Sequence, residues 1–144
     1  MISRYALKRY IDRAVARAVR RCADADIKVI LEKINRMKEK ARRILAEKNL
    51  DTKIYTGVQL ILSSLNRAAS IAERIAGTSK AYQNDLLGQK DIEKLKTKLG
   101  MELRAIYDMV TTHKQFSKGV PPEQYNLLYN LAHNAMNLAM DLYM

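Results

Sequence analysis

The chain has no tryptophan, one phenylalanine, two prolines, five glycines and a single cysteine among its 144 residues. So little Pro and Gly leaves few enforced breaks, and with Leu, Ala, Ile, Lys, Arg and Glu dominating, helix is favoured nearly everywhere and no stretch reads as a strand. Cys22 alone cannot form an internal disulfide, which excludes a disulfide-stapled secreted scaffold and fits a reducing interior. The glycines stand singly at 57, 77, 88, 100 and 119, so neither a P-loop nor a dinucleotide fingerprint is present. His113 and His133 fall on different predicted helices, no zinc-ligand spacing exists, and Glu102 and Asp108 are too scattered for a catalytic carboxylate pair. The expectation is a protein with no catalytic residues, no metal and no cofactor. The longest charge-free run, Gln124 to Met140, carries four Asn and one Gln and makes a poor membrane span.

Acidic residues are also short, 15 against 26 Lys and Arg, for a net charge of +11 and a pI near 9.8. That imbalance draws polyanions, whether nucleic acid or an anionic membrane surface. Its distribution is uneven: residues 1–50 hold 15 of the basic residues and six acidic ones, a net +9, and the remainder is nearly neutral at +2. Length suits one domain. The organisation expected is all-α, with a basic helical arm over 1–50, as one long or two bent helices, and a small helical bundle over 51–144 that forms the body and the assembly surface.

Within the arm, Leu7, Ile11, Ala14, Val15, Ala18 and Cys22 share one helical side, and Arg9, Arg13, Arg17 and Arg20 gather opposite. Asp12 is the only acid in the first 23 residues, so pairing within the helix cannot account for all seven of Arg4, Lys8, Arg9, Arg13, Arg17, Arg20 and Arg21. Asp24 and Asp26 suggest a bend. From Ile27 a second stripe, Ile27, Ile30, Ile34, Met37, Ala41 and Ile44, repeats at helical spacing with Lys33, Arg36, Lys40 and Arg43 opposite it. Glu32 and Glu39 stand four residues before Arg36 and Arg43, so this second ladder is partly self-neutralised and its helix can also pack on the body. Arg presents a planar fork suited to phosphate oxygens. Base-reading side chains are scarce between residues 4 and 21, so contact with the nucleic-acid backbone is the expected mode.

In the body, Asn49-Leu50-Asp51-Thr52 reads as a helix stop followed by an N-cap, and a helix to about Ala76 with Gly77 as its C′ residue follows. Its apolar residues, Tyr55 and Leu60 among them, cover more than one side, which predicts the most buried helix. A polar connection with a short turn around Ala81 to Leu87, closed by Gly88, precedes a helix capped by Asp91. Ser117 to Pro122 is the clearest break, and Pro121 or Pro122 suits the first turn of a last helix ending near Tyr143. That helix spreads apolar residues round its circumference, so it is either the core of the bundle or buries a second side in a neighbouring subunit, with Met136, Met140 and Met144 suited to an adaptable contact.

The ladder Arg9, Arg13, Arg17, Arg20, its continuation Lys33, Arg36, Lys40, Arg43, and the helices near 52–76, 91–116 and 121–143 together resemble the major capsid proteins of filamentous and rod-shaped archaeal double-stranded DNA viruses. The resemblance covers the whole chain in architecture and rests on charge layout and helix count. It implies a virion, assembled in the host cytoplasm, in which basic arms wrap double-stranded DNA without regard to sequence. It further implies self-assembly or a paralogous capsid chain, and in some members a lipid envelope. The competing expectation is an intracellular helical adaptor whose basic arm binds an acidic protein or an anionic membrane surface.

Overall fold

The computed structural model describes the backbone of residues 4–81 and 86–142, and the side chains of 6–11, 27–78 and 90–142. It holds four helices, α1 (Arg4–Leu45), α2 (Thr52–Ala81), α3 (Leu86–Thr112) and α4 (Pro122–Asp141), with a 3-10 turn at Lys114–Phe116 before the last. Among the described residues there is no strand, and the chain is all-α. Each helix packs on the next, α1 and α2 both reach α4, and α1 runs antiparallel to α4, with Lys33 beside Asp141 at one end and Ile44 beside Leu127 at the other. This is an up-and-down four-helix bundle with short connections.

The core is one cluster. Ile27, Ile30, Ile34, Met37, Ala41 and Ile44 supply the α1 side, and Ile54, Val58, Ile61, Leu65, Ala68, Ala72 and Ile75 the α2 side. Ile92, Leu95, Leu99, Leu103, Ile106 and Val110 come from α3, and Leu128, Leu131, Ala132, Ala135, Leu138 and Ala139 from α4. Every set recurs at three- and four-residue steps, which is what brings them to one side of a helix. Phe116, the lone phenylalanine, plugs the end of the bundle where the 3-10 turn crosses it.

Local chemistry sets the turns. Asn49 adopts a left-handed φ of 68°, a conformation Asn tolerates better than most residues. The Asp51 carboxylate accepts from the Lys53 backbone N–H at 2.8 Å and caps α2, as the sequence pattern predicts. The Gln124 side chain then ties this loop to α4, accepting from the Asp51 N–H at 2.7 Å and donating to the Asn49 carbonyl at 3.2 Å.

Several expectations are corrected. Helix α1 runs unbroken through Asp24 and Asp26, so neither caps a new helix; neither removes a backbone donor as Pro would. Helix α2 runs through Gly77 to Ala81, and α3 begins at Leu86 and contains Gly88; a glycine weakens a helix by only about 1 kcal/mol and does not end one. Asp91 therefore lies inside α3 rather than at its cap, and α3 stops at Thr112. On α2, Tyr55 and Leu60, two of the apolar residues expected to add to its buried surface, are exposed. Helix α4 buries one side within the chain and leaves Met140 54% exposed at its far end, so of the two alternatives it is not the enclosed core of the bundle.

Candidate nucleic-acid interface

From Ile27 to Leu45, α1 spans about 28 Å at 1.5 Å per residue, close to the length of α4, whereas the whole 42-residue helix reaches about 63 Å. Against the 30-residue α2, about 45 Å long, α1 still overhangs by about 18 Å, so its first turns extend past the bundle. The described side chains there, Ala6 to Ile11, are all exposed, including Lys8 and Arg9, with Leu7 at 50% and Ile11 at 51%. The remaining residues of the first ladder, Arg4, Arg13, Arg17, Arg20 and Arg21, and with them Cys22, lie outside the residues whose side chains are described.

The two halves belong to one unbroken helix but do not share an apolar stripe. At about 100° per residue, Leu7 and Ile11 fall on the side of α1 that carries Lys33, Arg36 and Lys40 further along, about 130° round from the core stripe. The half that enters the bundle thus turns its own apolar stripe inward and cannot bring the first stripe with it.

Lys33, Arg36, Lys40 and Arg43 are exposed on the second half, and the structure brings them together. They form one wall of a groove between α1 and α4 whose other wall is Asn130, Asn134 and Asn137, with Asp141 at the end. Two joined depressions make it up. One of 240 Å³ is lined by Lys33, Arg36, Met37, Lys40, Asn134, Asn137, Leu138 and Asp141. The other, of 290 Å³, shares Lys40 and Asn134 with the first and adds Arg43, Ile44, Leu127, Asn130 and Leu131. Apolar side chains thus form the floor, cations one wall and neutral amides the other.

The groove's charges are only partly matched. Lys33 meets Asp141 at 3.6 Å and Arg43 meets Glu39 at 3.6 Å, both pairs well exposed, and such pairs contribute about 0–1 kcal/mol. Arg36 and Lys40 make no ion pair among the described residues; the Glu32–Arg36 pairing suggested by spacing does not form. The side-chain amides of Asn130, Asn134 and Asn137 likewise make no hydrogen bond among the described residues. Sequence reasoning identified the cations and missed the asparagines. Their signal was the run Asn126, Asn130, Asn134 and Asn137, a single stripe at helical spacing on a helix with only two charged residues.

On its other flank α4 carries an aromatic row. Tyr129 stacks on His133 at 6.0 Å, and lies 6.3 Å from Tyr125 and 6.4 Å from Tyr107 of α3. The ionisation of Tyr107 is raised from its ordinary value, first by a hydrogen bond with Tyr129 and then by their mutual repulsion and by desolvation. His113 makes an edge contact with Phe116 at 6.3 Å. Among the described residues no three His, Cys, Asp or Glu side chains stand together as a metal site, and no helix is long and apolar enough to cross a membrane.

No protein-family model, no curated protein and no solved structure matches this chain.

Proposed function

We propose that the chain is a structural protein that packages nucleic acid, a capsid subunit of a helical nucleocapsid that grips the double-stranded DNA backbone without reading its sequence. The observation that carries this reading is α1 itself: one unbroken basic helix, anchored by its second half in the bundle and extending beyond it with every described side chain of the first turns exposed. Arg4, Lys8, Arg9, Arg13, Arg17, Arg20 and Arg21 on the first half, and Lys33, Arg36, Lys40 and Arg43 on the second, are the side chains that neutralise phosphates. Affinity comes chiefly from release of condensed counterions. Copies of the same chain, or a paralogous capsid chain, cover the remaining apolar surfaces, with a lipid envelope outside in an enveloped particle.

Filter binding of the purified chain to random-sequence DNA across a salt series tests this. The expected result is tight binding at low salt and a logarithmic slope of about −0.9 for each phosphate neutralised. No binding at low salt, or a flat salt response, overturns it. Flotation with anionic liposomes in the absence of DNA binding turns the assignment to a surface-binding adaptor.

A further inference from the structure

We infer that the groove between α1 and α4 is a second seat for the DNA backbone, separate from the projecting half of α1, in which asparagine amides and not only cations hold the phosphates. This rests on the nucleic-acid-packaging reading above. Three observations carry it. Asn disfavours helix interiors because its side chain competes for backbone hydrogen bonds, yet three asparagines line one wall and make no side-chain hydrogen bond among the described residues. Facing them, Arg36 and Lys40 stand without an ion partner among the described residues, at successive turns of α1. Among the described residues the only acid lining the groove, Asp141, lies against Lys33 at its end.

Chemistry selects the occupant. A phosphodiester strand offers a charge at each step for the lysine and arginine wall, and oxygens that accept from neutral amides. The amide wall adds donors without adding charge, and the apolar floor at Met37, Leu131 and Leu138 accommodates sugar edges. An acidic peptide also carries anions, but half of its backbone polar groups are N–H donors, whereas the exposed phosphodiester oxygens all accept. Asp141 occupies the Lys33 ammonium that the strand would otherwise take, so it opposes entry.

Four full-length variants, read by DNA affinity against salt, give a signature no merely solvated surface produces. Arg36→Gln with Lys40→Gln should reduce the logarithmic salt slope by about two. Asn134→Ala with Asn137→Ala should weaken binding roughly tenfold at every salt concentration and leave the slope unchanged, because neutral hydrogen bonds release no counterions. Asp141→Asn should tighten binding roughly threefold at low salt, within the range of an exposed ion pair. Arg9→Gln with Arg13→Gln serves as the control on the projecting half. All these groove residues are exposed or half-buried, and an unchanged thermal unfolding midpoint shows that the fold is kept.

Wild-type affinity and slope in the groove variants, alongside a reduced slope in the control, overturn the groove and leave the function standing. Silent asparagine variants with active cation variants also overturn it, since a bare cation surface then suffices. Equal binding of polyglutamate and DNA by the wild type assigns the groove to an acidic protein instead. A wild-type chain that binds no DNA at low salt overturns both readings together.

Discussion

At Gly57 an added methyl group would meet both Leu128 methyls and the Phe116 ring at 3.1 Å. Both neighbours are fully buried and have nowhere to retreat. Helix propensity would gain about 1 kcal/mol, but overpacking in a closed core costs about 1–3 kcal/mol. Gly57→Ala should therefore destabilise the protein by about 1 kcal/mol. At Gly77 the same methyl would meet nothing within 4 Å, so Gly77→Ala should stabilise by about 0.5–1 kcal/mol through propensity alone. Urea unfolding midpoints of the two variants, moving in opposite directions, check the pair. Single residues also show how far sequence reading reached. The Asp51 cap is written in four consecutive residues and could be read from them. The Gln124 clamp on the same loop joins positions 73 and 75 residues apart and has no local signature.

Along each helix, the stripe of buried residues was legible because a period of 3.6 depends only on neighbours a turn away. What escaped was the relation between stripes. Leu7 and Ile11 form a good apolar side and Ile27 to Ile44 another, but their phases differ within one unbroken α1, so only the second reaches the core. Exchange of both Leu7 and Ile11 for serine should therefore change unfolding free energy by less than about 0.5 kcal/mol. Ile34→Ala, at a position with no exposure, should cost about 2–5 kcal/mol. Denaturant titration of both variants separates the halves. The candidate site divides the same way: its cation wall lies in one stripe of α1 and was visible, whereas its amide wall lies about ninety residues away on α4 and becomes a partner only when α1 and α4 pack.

For the whole molecule, charge and stability are carried by different parts. Among the described residues the buried core begins at Ile27, while seven of the basic residues precede Asp24. Removal of residues 1–23 should leave cooperative unfolding intact and lower the DNA salt slope by up to about six. Circular dichroism melting and filter binding on the same sample measure both. Loss of the cooperative transition, or an unchanged slope, contradicts that division of labour.

The length of α1 also governs how the free chain moves. A compact chain of this size has a radius of gyration of about 15 Å, whereas α1 alone is about 63 Å long from the packed end to the projecting one, which makes the molecule an elongated body. Such a body tumbles slowly about its short axes and quickly about its long one, and sweeps a volume far larger than its own. In a concentrated solution these rods exclude one another least when they lie parallel, so crowding alone would tend to align subunits before any specific contact forms.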